Sequence, residues 1–293
     1  MAQSPTDIPD RFTPDRFTPD RFSLAPGQRA EFAERGVLKL PGLIPAETIR
    51  RAREAVLVPL ARLGLWRDGA WRLDAVPRPQ WPATGLKTSK AIGNKRPELE
   101  ALIDEPDLLA AVDQLLDGHR FDRRVFKRPQ LLFTLPNIDT WRLPQGWHAD
   151  GPRFASGVSP GVQLFGCLDE VGPGGGATVV VAGSHRLANT EARFLRAKDL
   201  TMILRREPFF RELMAGRGGE DGVPPRARIG DVTVEVVECT GAPGDVWLTD
   251  LRILHAGAPN AADRPRLMFT HRFMRADLLR EMAEAYGWIE PSA

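Results

Sequence analysis

His148 and Asp150 stand two residues apart in WHADGPRF (Trp147 to Phe154), and His255 and Arg266 stand eleven apart in ILHAGAPNAADRPRLMF (Ile253 to Phe269). In extended chain, alternate residues project to the same side, so one metal ion could take both His148 and Asp150. Pro259 and Asn260 mark a turn between His255 and Arg266. Two imidazoles and one carboxylate form the ligand set that occupies one face of an octahedral Fe(II) and leaves the remaining positions open. Zinc would accept the same ligands but could not activate oxygen. An isolated His-x-Asp pair reads as a loop histidine beside a capping aspartate; His255 and Arg266, following in order, turn the reading towards a metal. The chain must therefore adopt a fold that brings together side chains more than a hundred positions apart.

Strand-like stretches surround these ligands. They are Arg124 to Phe133, with Gln130, Leu132 and Thr134 sharing one face, then GVQLFGCLDEV (Gly161 to Val171), ATVVVA (Ala177 to Ala182), VTVEVVE (Val232 to Glu238), GDVWL and RLMFTHRF. Helices are expected ahead of them: Gln28 to Arg35, stopped by Gly36; a second one opened by Pro45, with Ile49, Ala52, Val56 and Leu60 on its apolar face; and Pro97 to Leu116. Leu63 to Pro82 has no clear period and reads as an irregular cover, and Thr84 to Asn94 brings Lys87 and Lys90 close together. Asn189 to Gly216 is helical in pattern, capped by Asn189 or Thr190, and is expected to fold over the barrel mouth; a last helix runs from Ala276 to Tyr286. The PDRFT repeat in Pro9 to Ser23 carries a proline in every unit and reads as a flexible tail, residues 1–23, ahead of a single domain, 24–293. The fold class expected is mainly β with flanking helices: a double-stranded β-helix of jelly-roll, cupin-like type with N-terminal helices and a helical lid insert at about 189–216. A Rossmann domain is excluded because a strand, not a helix, follows the GPGGG loop.

The His-x-Asp, distant His and Arg order resembles the phytanoyl-CoA dioxygenase family of Fe(II)/2-oxoglutarate-dependent oxygenases. GDVWLTDLRILHAGAPN (Gly244 to Asn260) and GGGATVVVAGSH (Gly174 to His185) sit where that family carries a Gly-Asp turn and a glycine-rich turn, strand and Gly-Ser-His, so the likeness runs from about Gln28 to Phe273. The resemblance implies His148, Asp150 and His255 as iron ligands, with 2-oxoglutarate and O2 as co-substrates. It further implies that oxidative decarboxylation to succinate and CO2 drives attack on an unactivated C–H bond. An aspartate at position 150, where related halogenases carry a small residue, argues for hydroxylation. Desaturation, epimerisation and ring closure remain open as outcomes, and so does a jelly-roll protein that binds metal without redox turnover.

Arg266 is the expected anchor for the far carboxylate of 2-oxoglutarate, since a planar guanidinium matches a carboxylate two-pronged and keeps its charge. Arg264 lies on the same strand face and is the competitor. Thr270 continues the Arg266 face, and Gln130 and Thr134 are candidates for the other end of the co-substrate. Arg153 and Phe154, just past the metal carboxylate, with Arg193 and Arg196 in the expected lid, point to a small anionic substrate such as a free or N-acylated amino acid.

A net charge of +2 argues against a nucleic-acid surface, and the basic runs Arg50 to Arg53 and Arg123 to Arg128 read as a solvated helix face and a strand edge. Cys167 and Cys239 lie in apolar stretches and read as reduced core residues. The longest apolar run, Ala177 to Ala182, is too short for a bilayer, and no apolar leader follows the amino terminus, so a cytoplasmic protein without a membrane partner is expected.

Overall fold

A computed structural model describes residues 22–73, 96–121, 128–189, 191–217 and 225–289. The PDRFT units up to Arg21, the Lys87 and Lys90 stretch, most of the Arg123 to Arg128 run and Thr190 lie outside the described residues.

Two antiparallel sheets face one another, as expected for a jelly roll. The larger is built from β1 (Val37–Leu40), β4 (Gln130–Thr134), β6 (Gly161–Cys167), β11 (Val246–Asp250) and β13 (Arg266–Met274), in the order β1-β11-β6-β13-β4. The smaller is built from β7 (Thr178–Ala182), β9 (Arg226–Ile229), β10 (Val232–Glu238) and β12 (Leu254–Gly257), in the order β12-β7-β10-β9. Alternation along each strand sorts the side chains between two environments. Leu131 and Phe133 of β4, Val246 and Leu248 of β11, and Leu267, Phe269 and Phe273 of β13 face outwards onto the N-terminal helices. Phe165 and Cys167 of β6, Val180 and Ala182 of β7, and Met268 of β13 fill the space between the sheets, with Cys239 beside them. Both cysteines are buried and free, as the sequence suggests.

The N-terminal helices α1 (Pro26–Arg35) and α2 (Ala46–Arg62) form as their apolar spacing requires, burying Phe32 and then Ile49, Ala52, Val56, Leu57 and Leu60. Three expectations need correction. Pro97 to Leu116 is two helices, α3 (Pro97–Leu102) and α4 (Pro106–Leu115), because Pro106 offers no N–H to continue the first and instead opens the second. The stretch after Leu63, expected to be irregular, contains a hairpin, β2 (Trp66–Arg67) with β3 (Ala70–Trp71). Its turn is Asp68-Gly69, both residues at positive φ, the conformation that favours a tight two-residue hairpin. The insert is not one helix from Asn189 but a short strand β8 (Phe194–Leu195), which pairs with β5 (Arg153–Phe154), followed by α5 (Ala197–Leu204) and α6 (Pro208–Met214), with Pro208 again marking the break. The C-terminal helix α7 spans Leu279–Ala285 after a short 3-10 turn.

The insert lies on a sheet face more than over a mouth. Leu200, Leu204, Phe210 and Leu213 pack on Val179 and Val181 of β7, Val232, Val234 and Val236 of β10, and Leu254 of β12. The start of α5 lines a cavity with His148, and Ala215 and Gly216, just after α6, line another with Thr134. Gly183, at φ 81°, turns the chain from β7 into Ser184–Arg186 at a point where a Cβ would lie 2.2 Å from the Thr233 carbonyl oxygen, so no side chain fits.

Candidate metal centre

The segment carrying His148 runs beside β12 and exchanges two main-chain hydrogen bonds with it: His148 N to His255 O at 2.9 Å and His255 N to His148 O at 2.8 Å. Residues opposed in this way direct their side chains to the same face, and the two imidazole centroids are 4.3 Å apart. Asp150, two residues on, projects the same way. Nε2 of His148 is 3.9 Å from Asp150 Oδ1, and Nε2 of His255 is 3.5 Å from Oδ2. One donor atom from each of the three side chains lies within 4.8 Å of the others, and this is the one such cluster of potential metal ligands among the described residues.

Both rings are oriented the same way. Nδ1 of His148 is 2.9 Å from the carbonyl of Gly146, and Nδ1 of His255 is 3.2 Å from that of Ile253, each two residues back along its own chain. A ring that donates from Nδ1 presents the lone pair of Nε2, the form a metal needs. His255 is buried and lies 5.6 Å from the Phe165 ring, whereas His148 is exposed. Burial alone would raise the Asp150 carboxyl; the hydrogen bond and charge of His255, and then the Arg272 guanidinium, outweigh it and hold the group well below the usual carboxylate range. The donor set is therefore of the kind that suits a divalent cation: two imidazole nitrogens and a carboxylate oxygen within reach of one another, with a cavity beside His148 and Asp150.

Arg266 lies on the inward face of β13, across from Thr134 in the β4 register. Its Nη2 donates to Thr134 Oγ1 at 2.8 Å and its Nη1 to the Gly176 carbonyl at 2.7 Å, while its Nε is buried without a partner. Among the described residues no carboxylate reaches it, and burial pushes the guanidinium down to about 10. A buried cation with an idle donor is incomplete by itself; a carboxylate would complete it. The cavity it lines, about 540 Å³, is otherwise walled by Thr134, Asn137, Arg142, Gln145 and Gly257 among others. Arg264, the competitor, points instead at Asp169 and Glu170. Asn260 fixes the intervening turn, its amide donating to the carbonyls of Thr134 and Arg264.

The remaining expected residues divide. Thr270 faces inward but accepts a hydrogen bond from Gln163 at 3.3 Å, and Gln130 is exposed beside it at a small cavity shared with Arg272. A second cavity, about 450 Å³, opens on two residues of the cluster, His148 and Asp150, and is also lined by Pro152, Arg196, Lys198, Thr201 and Tyr286. Arg196 therefore borders the same cavity as His148 and Asp150. Arg153 does not: its guanidinium is buried and donates to the carbonyls of Leu187 and Ser184, both at 2.8 Å. Arg193 pairs with the buried Glu284 of α7 at 2.5 Å, and Phe154 packs in an apolar cluster with Leu251 and Met274. Two residues that sequence reasoning misses touch Asp150. Arg272, two places beyond Thr270 on the same inward face, donates to its carboxylate, and the hydroxyl of Tyr286, the single tyrosine of the chain, donates to its main-chain oxygen. The strand period points to Arg272; nothing in the sequence points to Tyr286.

The chain matches the phytanoyl-CoA dioxygenase (PhyH) family over residues 32–268. It is 24% identical over 206 residues to uncharacterised proteins of Mycobacterium bovis and Mycobacterium tuberculosis. The match covers 67% of this chain, and the chain spans about 60% of the length of those relatives. Among solved structures it is similar to a non-haem alpha-ketoglutarate-dependent carbocyclase, SnoK, from nogalamycin biosynthesis, with a TM-score of 0.53 at 18% identity over 86% of this chain and 85% of that one. That likeness places the two in one fold.

Proposed function

The chain belongs to the phytanoyl-CoA dioxygenase family, and from that premise we propose that it is an Fe(II)- and 2-oxoglutarate-dependent dioxygenase that hydroxylates an unactivated C–H bond of a small anionic molecule such as a free or N-acylated amino acid. The observation that carries the reading is the pairing of a His148, Asp150, His255 cluster with a buried Arg266 that has no counter-ion among the described residues. Two histidines beside an aspartate can be no more than a polar patch, and a buried arginine can serve packing alone. Carried by the two sheets of one barrel, they call for a metal and a diacid.

When bound, iron supplies with O2 and a 2-oxo acid an oxidant able to take hydrogen from carbon, with succinate and CO2 as by-products. The protein's own groups do the rest. Arg266, steadied by Thr134, would hold the far carboxylate, with Thr270 and Gln130 further along the same pair of strands as additional candidates. Arg196 and Lys198 would draw an anionic substrate into the cavity beside the triad, against Pro152 and Tyr286. Arg153, Arg193 and Phe154 would act at one remove, holding the walls of that cavity through Ser184, Glu284 and the apolar cluster at Leu251.

Anaerobic addition of Fe(II) and 2-oxoglutarate should give a weak visible charge-transfer band, and air should then release succinate. Amino acids, N-acyl amino acids and small carboxylic acids that stimulate succinate release identify the substrate. The product's mass gives the outcome: one added oxygen for hydroxylation, two lost hydrogens for ring closure or desaturation, no change for epimerisation. No band and no succinate, or full turnover in His255→Ala, would overturn the proposal.

A further inference from the structure

Resting on the iron reading, we propose that Arg272 is a positioning residue that decides which oxygen of Asp150 faces the metal. The two histidines are steered locally, each by a carbonyl two residues behind it. Asp150 has no such local partner for its side chain. Its main chain is held at two points, by the Tyr286 hydroxyl on its carbonyl oxygen and by the Gly151 amide bonded to Leu251 O at 2.8 Å. The carboxylate itself is held from β13, 122 residues away.

A carboxylate rotates in a broad, two-fold well about its last torsion, so main-chain anchoring leaves its two oxygens interchangeable. Arg272 removes that equivalence. Nε at 2.9 Å and Nη2 at 2.5 Å both donate to Oδ2. Oδ1 is left unclaimed, with His148 Nε2 at 3.9 Å as its neighbour. Asp250 is held differently: there the Arg252 guanidinium grips both oxygens, Nε on Oδ1 at 2.9 Å and Nη2 on Oδ2 at 2.8 Å, and the Arg252 main-chain N–H also donates to Oδ1 at 2.9 Å. Arg272 has the same paired donors but directs them at one oxygen. The consequence is a carboxylate that offers a metal one tooth, keeping coordination positions free for the co-substrate and oxygen.

The competing reading is that Arg272 merely neutralises Asp150 until a metal displaces it. The two readings predict opposite signs. Titrating the full-length protein anaerobically with Ni(II) by calorimetry should show Arg272→Gln binding roughly 10- to 100-fold more weakly than wild type, the usual cost of losing a group that orients a ligand. Arg272→Lys, which keeps the charge but loses the paired donors, should fall between them. The visible ligand-field spectrum of the Co(II) form should change in both variants, which a merely structural role would not cause, and metal-free melting should report folding separately. Binding of Ni(II) by Arg272→Gln as tightly as wild type, or more tightly, overturns the proposal; should that variant fail to fold, wild-type affinity and spectrum in Arg272→Lys overturn it. Wild-type protein that takes up no metal would instead sink the iron reading on which it rests.

Discussion

Replacing Arg266 with Met tests the co-substrate site most directly. In the ligand-free protein the guanidinium is pushed by burial from 12.5 to about 10, so its charged form carries a penalty of about 3 kcal/mol at neutral pH. Methionine removes that penalty but leaves the Gly176 carbonyl and the Thr134 hydroxyl without their donor, at a cost of about 1–3 kcal/mol each. The opposing effects are of similar size, so the metal-free variant should melt close to wild type. Binding of 2-oxoglutarate should behave quite differently. Two charge-assisted hydrogen bonds, worth about 1.5–3 kcal/mol apiece, vanish together, and affinity should fall at least about 100-fold. Affinity for Ni(II) should be unchanged, because Arg266 touches none of the three ligands. Calorimetry with 2-oxoglutarate on the Ni(II)-loaded protein under nitrogen measures this. A dissociation constant within about threefold of wild type would refute the idea that the buried cation waits for a carboxylate.

Asp250→Asn leaves Arg252 and Arg153 buried with no carboxylate between them among the described residues, and should lose about 3–5 kcal/mol in denaturant unfolding; an unchanged midpoint would contradict the pairing. In wild type, burial would raise the Asp250 carboxyl, yet the charge and hydrogen bonds of Arg252 hold it at about 2 against 3.8 unfolded, so its contribution is present above about pH 4 and disappears as pH falls through 2. His185 titrates below its ordinary 6.5 because of burial, so the unfolded chain binds its proton first and stability should decline as pH drops below about 6.5; His185→Gln should flatten that limb of the melting-temperature profile. Gly166→Ala would place a Cβ 2.4 Å from the Phe269 ring and should cost about 1–3 kcal/mol by overpacking, partly recovered when Phe269 is shortened to Leu.

Much of this architecture is legible in the sequence because the strands obey a period of two and His255 and Arg266 lie on them. VTVEVVE, RLMFTHRF and GVQLFGC are strands in the structure, and the jelly roll follows from their number and their turns. Boundaries are less legible where proline sits inside an apolar run. At Pro106 and Pro208 the helical spacing continues across the break, so periodicity alone joins what the missing N–H divides. The Trp66 to Trp71 hairpin hides for a different reason: its strands are two residues long, too short to show any period, and its one signal is Asp-Gly. Tyr286 reaches Asp150 through tertiary packing of α7, to which no local pattern corresponds.

The arginines show how far parity along a strand can be trusted. Asp150 and Pro152 differ by two and both border the cavity at the triad; Arg153, at an odd offset, turns to the other side, where Ser184 and Leu187 take its guanidinium. Nearness in sequence suggests a substrate contact, whereas alternation argues against it, and alternation wins. On β13 the same rule runs forward from Arg266 through Met268 and Thr270 to Arg272, all on the inward face of one nine-residue strand. One end of that face meets the cavity at Arg266 and the other meets the Asp150 carboxylate. An inserted residue between Arg266 and Arg272 would turn one of the two guanidiniums outward, so this stretch should tolerate no change of length even where its apolar residues accept exchange.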